Sequence, residues 1–184
     1  MHNEETAMIF RFDDISANTD MQKTNELAEL IRSELKTEIW YCISPLCNSS
    51  EKNNGRIYPR YWNALSDCRE YYKMDIAEIP QCPRFAKIAN HGLVHIDHRL
   101  LDYDRQEMSI VISANLTNSC IFVPPFNKWN EDTIKICDSH GYELIKFEDG
   151  WRSAEYEPFD GSNDKWYLHP RNFTNESFLK WMLC

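Results

Sequence analysis

Apolar residues come in short runs along this chain, and polar, turn-prone stretches separate them. "AMIFRFDD" is an apolar run that ends on two acids, and it reads as a first strand whose C-terminal end carries Asp13 and Asp14. In the next stretch Met21, Leu27, Leu30, Ile31 and Leu35 recur at helical spacing, with Asn18 or Thr19 as the cap. "TEIWYCIS" is a second strand. An opening β-α-β favours parallel strands in an α/β layer architecture.

Residues 44–85 are less regular. "SSEKNNGR" is a polar loop, "YWNALSDCREYYKM" reads as a helix, and two prolines break "IPQCPRF". This stretch is expected to leave the core and wall a site. "FAKIANHG" returns as a strand ending near His91, and a helix is expected from His95 to Arg105. "MSIVISAN" reads as a buried strand, and "CIFVPP" as another that stops at Pro124 and Pro125. "NEDTIKICDSHG" is a helix with Asn130 as cap and Gly141 just past its end. "YELIKF" and "KWYLHP" are strands, and "NESFLKWML" is a closing helix capped near Thr174 or Asn175. About seven strands alternate with helices in one domain spanning residues 1–184.

Composition narrows the function classes. The chain is 42% hydrophobic and 27% charged, ordinary for a globular domain with a core. A net charge of −9 argues against non-specific nucleic-acid binding and against docking on an anionic membrane. No run approaches the roughly 18 apolar residues of a membrane span, and "MHNEETAMIF" lacks the basic region of a signal peptide. Seven cysteines at irregular spacing, with no CxxC, read as reduced and mostly buried thiols of a cytoplasmic protein.

The candidate chemistry starts at "NHGLVHIDH", which holds three of the six histidines. On a helix, His91 and His95 would share one face and reach one point. Zinc takes three or four N, O or S ligands and keeps one position for water in catalytic sites. A carboxylate from "FDD" would complete a two-His, one-Asp set. The second Asp would then be placed to take a proton from water. His169 also follows an apolar run, so it too belongs at a strand end. In parallel α/β folds the strand C-termini face one side, where sites form. Each residue also has a plainer reading: the acids as turn residues, the His pair as filling, Asn127 as shaping its turn, and Asp97 and His98 as solvent-facing or supporting groups.

The ordered motifs "FRFDD", "HGLVH", "FVPPFN" and "YLH" resemble those of the polysaccharide deacetylase (NodB-homology) family across residues 9–169. The wording is similar to a divergent branch, the deacetylase-like proteins of bacterial O-antigen biosynthesis. The resemblance implies a distorted (β/α)7 barrel of the NodB type and a metal-dependent hydrolase. Its expected substrate is an N- or O-acetylated amino sugar or polysaccharide precursor. It implies Asp13 as catalytic base, His169 as general acid and Asp14, His91 and His95 as ligands of a divalent metal, Zn2+ before Co2+ or Mn2+. Pro125, Phe126 and Asn127 fall where substrate and oxyanion contacts are expected.

The sequence departs from the family pattern at several points. Ile15 stands where Gly is usual, and Gly92 where Ser or Thr is usual. Phe122 stands where an Arg usually orients the base, leaving Lys128 or Arg11 to supply that charge. The Asp-Trp motif is represented either by Gly150-Trp151 or by Asp164-Trp166. An alternative is therefore a carbohydrate-binding or accessory protein that kept the fold and lost turnover. A third is a metal-assisted hydrolase of a formyl group or another amide.

Overall fold

All the strand pairs in the computed structural model, which describes residues 8–16, 19–45 and 79–183, are parallel. The strands are β1 (Ile9–Ile15), β2 (Glu38–Ile43), β3 (Ala86–Asn90), β4 (Ile121–Phe122), β5 (Glu143–Leu144), β6 (Arg152–Ser153) and β7 (Lys165–Leu168). They form one sheet in the order β5-β4-β3-β2-β1-β7-β6. The helices among the described residues are α1 (Met21–Leu35), α2 (Tyr103–Thr117), α3 (Glu131–His140) and α4 (Asn175–Met182).

The sheet curls into a half-barrel, and one contact shows how far. Trp40 on β2 and Trp151 just before β6 have ring centroids 5.9 Å apart. These strands are three positions apart in the sheet, and flat strands would hold them roughly 14 Å apart at about 4.8 Å per strand. The concave face carries Trp40, Cys42, Ala89, Ile121, Val123, Ile145 and Trp151, with Ile9 and Tyr167 against them. The other face carries Phe10, Phe12, Ile39, Tyr41 and Ile43, which pack on Leu27, Ala28 and Ile31 of α1 and on Phe178 of α4. The period-2 alternation of β1 and β2 thus supplies two cores, because both faces are covered.

Helix ends follow local chemistry. Asn130 and Thr133 form a reciprocal capping box at the start of α3, and Gly141 ends that helix at φ +68°. Thr174 and Ser177 do the same for α4. The cap of α1 is Asp20, whose carboxylate accepts from the Lys23 N–H, whereas the Thr19 hydroxyl accepts from the Ser16 N–H.

The largest correction concerns "MSIVISAN". It is the middle of α2, not a strand, and the helix expected over His95–Arg105 is only a 3-10 turn at His98–Leu100 before α2 begins at Tyr103. Asp102 caps α2 through the Arg105 N–H. Its buried positions are Gln106, Ser109, Ile110, Ser113, Ala114 and Thr117, a helical face made largely of small and polar residues. Met108, Ile112 and Leu116 lie one turn apart on another side and pack on Leu93, Val94, Ile96 and Leu101. The apolar run is therefore split between two faces. The seventh strand is instead Arg152–Ser153, too short to show in a periodicity. The loop and helix expected within residues 46–78 lie outside the described residues, as do Asn18 and His2.

The aromatic cluster under α4 ties the C-terminus to the sheet. Phe178 meets Phe10 edge-on at 6.1 Å, and Trp181 meets Trp166 at 5.0 Å. Phe178→Ala should destabilise the protein by about 3–5 kcal/mol in urea unfolding. A loss under about 1 kcal/mol would show that α4 lies outside the cooperative unit.

Candidate metal and active site

The site is built where β1 ends. Pairing of β1 with β2 shifts register between Phe12 and Ile15, and Asp14 has φ +62°. That conformation is costly for a residue with a Cβ, on the order of 1–2 kcal/mol. It breaks the alternation that would send adjacent side chains to opposite faces. Asp13 and Asp14 are both buried and take different partners.

Asp14 faces two histidines. Its Oδ1 lies 2.6 Å from His95 Nε2 and 3.4 Å from His91 Nε2. One ligand atom from each of the three residues falls within 4.8 Å of the others. His91 Nδ1 is 2.7 Å from the Val123 carbonyl, which can only accept, so Nδ1 carries a hydrogen and Nε2 is the atom turned to the cluster. Two imidazole nitrogens and a carboxylate oxygen fit a zinc-like divalent metal with a position left over. Burial opposes ionisation of Asp14, but hydrogen bonds and charge from His91 and His95 hold its pKa well below the ordinary value.

The two histidines do not sit on a helix. Residues 91–97 form an irregular loop, and their rings still meet at 5.1 Å. The loop is stitched from below. Asn90 accepts from the Gly92 N–H and donates to the Ile110 carbonyl, both at 2.8 Å, and the Ser44 hydroxyl donates to the His91 carbonyl. His98 is wholly buried rather than solvent-facing. Its Nδ1 lies 3.1 Å from the Ile96 carbonyl and its Nε2 3.1 Å from Ser109 Oγ, which in turn accepts from the Leu93 N–H. This chain needs a neutral ring, and burial pushes the His98 pKa down to about 4. Gly92, at φ +77°, lies against the same ring; a Cβ there would come 2.7 Å from His98 Cε1.

Asp13 turns into the barrel and meets Arg11, two residues earlier on the same face of β1. Arg11 Nε lies 2.7 Å from Oδ1, and Nη2 donates to Oδ2 at 2.9 Å. Nη2 also donates to Asn127 Oδ1 at 2.9 Å. The guanidinium is fully buried, over the Trp151 ring at 4.5 Å and the Tyr167 ring at 5.1 Å. Lys128 is exposed. Of the two tryptophans weighed as site walls, Trp151 is the one under this pair, and Trp166 is buried in the other core.

Pro124 and Pro125 enter a tight turn in which Phe126 (φ +58°) and Asn127 (φ +54°) are both left-handed. Phe126 is more than half exposed and its ring lies 4.3 Å from that of His95. The Asn127 N–H is committed to the Pro124 carbonyl. Pro125 is buried.

His169 follows β7. Its Nδ1 lies 2.7 Å from Glu155 Oε1, which also accepts the His169 backbone N–H, and its Nε2 lies 3.4 Å from Asp14 Oδ2. Burial opposes the charged ring, yet the hydrogen bond to Glu155 and the charges of Asp14 and Asp13 leave its pKa raised. Arg171, in the turn after His169, donates from Nη1 to the same Asp14 Oδ2 at 2.8 Å.

No family model matches this sequence, and no curated protein does. Solved structures match in shape. A family 4 carbohydrate esterase from Streptomyces lividans, in complex with acetate, gives a TM-score of 0.57 at 12% identity, over 96% of this chain and 84% of its own. The fold is that of the family 4 carbohydrate esterases. A family 4 pseudoenzyme from Bacillus anthracis gives 0.56 at 11% identity, over 97% of this chain and 60% of its own. The chitin deacetylase of the fungal pathogen Colletotrichum lindemuthianum gives 0.53 at 10% identity, over 97% and 80%.

Within this esterase fold, the structure brings Asp13, Asp14, His91, His95 and His169 together at the strand C-termini. The sequence reading missed two residues there. Glu155 follows a two-residue strand with no visible periodicity, though an acid near a strand end was the available signal. Arg171 was hidden behind Pro170. Of the two roles expected for His98, solvent-facing or supporting, the structure gives the supporting one.

The His98 network generates a pH test. Its pKa is about 4 folded and 6.5 unfolded, so the unfolded chain binds more protons between these values. This contribution is full above 6.5 and is lost as pH falls towards 4, by about 3 kcal/mol in total at 1.36 kcal/mol per unit. Urea unfolding of wild type and His98→Gln across this range should show the variant less acid-sensitive by that amount. Parallel curves would mean that His98 does not stay neutral. Gly92→Ala should lose both stability and metal affinity, read by unfolding and by metal titration.

Proposed function

We propose that this chain is a metal-dependent deacetylase that removes an N- or O-acetyl group from an amino sugar or polysaccharide precursor of surface-polysaccharide biosynthesis. The convergence of a paired acid, a two-His, one-Asp cluster and a carboxylate-bound histidine carries this reading. Asp14, His91 and His95 would hold the metal. When bound, such a metal polarises the acyl carbonyl and makes water a better nucleophile near neutral pH.

The protein residues divide the remaining work. Asp13 takes the proton of the attacking water, and Arg11 fixes which way its carboxylate faces. Arg11 thereby supplies from β1 the charge that Phe122 cannot. The Phe126 N–H is the donor of its turn offered to the developing oxyanion, since the Asn127 N–H is already used. His169 gives its proton to the leaving amine or alcohol, and Glu155 keeps it charged and oriented for that task. The products are acetate and the free amine or hydroxyl.

Elemental analysis of tag-free protein should find about one divalent metal per chain, lost in His91→Ala. Asp13→Asn leaves Arg11 without its anion, so its fold is checked first by urea unfolding; the folded variant should retain the metal and lose about 10²–10⁴-fold in turnover on acetylated amino sugars, the range for general acid–base catalysis. Near-normal turnover in Asp13→Asn would sink its role. Metal binding without turnover on any acylated sugar would instead favour a carbohydrate-binding protein on the same fold.

A further inference from the structure

Arg171 has no counterpart in the roles assigned so far. Its side chain is 45% exposed at the mouth of the site. One nitrogen, Nη1, is committed to Asp14 Oδ2. The histidine pair meets the other oxygen, Oδ1, so Arg171 and the two histidines divide the Asp14 carboxylate between them. His169 Nε2 reaches the same Oδ2, which sets the guanidinium on the leaving-group side of the site.

Exposure says what this cation is available for. Arg11 is fully buried against Asp13, whereas Arg171 meets Asp14 through Nη1 and keeps a side chain 45% exposed. The chain as a whole is acidic, with a net charge of −9. A strongly acidic protein repels anions at long range, so a local positive centre with a forked, half-exposed guanidinium is a selective device. Arginine N–H groups match carboxylate and phosphate oxygens in particular.

We infer that Arg171 is a specificity residue that binds an anionic oxygen group, carboxylate or phosphate, on the sugar that carries the acyl group. This rests on the deacetylase reading of the site and names its substrate class. The Nη1 contact to Asp14 keeps the fork aimed, and the remaining N–H groups meet the substrate. Pro170 and the bond from the Asn172 N–H to the His169 carbonyl hold the turn that carries it.

The test compares wild type with Arg171→Gln on three acetylated amino sugars: a neutral oligosaccharide, a uronic acid and a nucleoside-diphosphate-linked sugar. Metal content of both proteins is measured alongside. The expected result is that the wild type prefers an anionic substrate. The anionic-to-neutral ratio of kcat/KM should then fall at least tenfold in the variant, chiefly through KM and with metal retained. Whichever anion shows the loss, uronate or diphosphate, identifies the source of the charge. Equal loss on all three substrates, or loss of metal, would overturn the inference and leave Arg171 as a support for Asp14. A wild type that prefers the neutral sugar would overturn it too. Calorimetry with the deacetylated forms of the same sugars on metal-loaded wild type and Arg171→Gln reads affinity without turnover. If no sugar is hydrolysed, an anionic ligand bound tenfold more weakly without Arg171 still upholds the inference while the deacetylase reading fails.

Discussion

A guanidinium with no solvent exposure sits inside the barrel, and much of the molecule is arranged to make that tolerable. An isolated buried charge is too costly to keep, so Arg11 requires an anion at contact distance. Asp13 supplies it, Asn127 adds an acceptor, and Trp151 and Tyr167 offer ring faces where water would otherwise be. These partners come from β1, from the turn after β4, from the approach to β6 and from β7. The ion pair therefore links curvature to chemistry. Only a curled sheet brings Trp151 over a residue of β1, and only a filled interior leaves Asp13 dry and fixed.

The helix-side core obeys a simpler rule. Phe10, Phe12, Ile39 and Tyr41 on one side, and Ile31 and Phe178 on the other, are apolar packing with few polar demands. The concave side carries the demanding groups, and around its mouth the protein accepts strain. Asp14, Phe126 and Asn127 are left-handed without being glycine. Asp14 and Phe126 both meet His95, and Asn127 meets Arg11. Cys42 shares this interior, and burial together with the nearby charge of Asp13 pushes its thiol pKa well up, so it stays a protonated, inert packing group.

The sequence was legible where one physical signal dominated. The run ending in "FDD", the cap-and-glycine frame of α3 and the strand before His169 each rest on local chemistry that tertiary structure had no reason to override. Arg11 could be weighed from sequence as the missing charge, but choosing it over Lys128 needed the curl. "MSIVISAN" misled because α2 buries Ser109, Ser113 and Ala114, so hydrophobicity no longer tracked burial. The strand count of about seven agreed with the structure only because Arg152–Ser153 stands in for that misread segment. His91 and His95 meet, but through a loop pinned by Asn90, Ser44 and His98 rather than by helical periodicity. Glu155 and Arg171 act through partners more than ten residues away, where spacing carries no information.

Arg11 and Asp13 are neighbours on one strand, and this sets how the site responds to deformation. Distances between strands change when a half-barrel breathes or twists. The spacing of residues i and i+2 along an extended strand does not, since it is set by covalent geometry at about 7 Å. An orienting arginine on another strand would transmit every shear of the sheet to the acid it holds. Carried on β1, the pair travels as one rigid piece, so the bearing of Asp13 is mechanically insulated from the two-residue strands at the sheet's open edges.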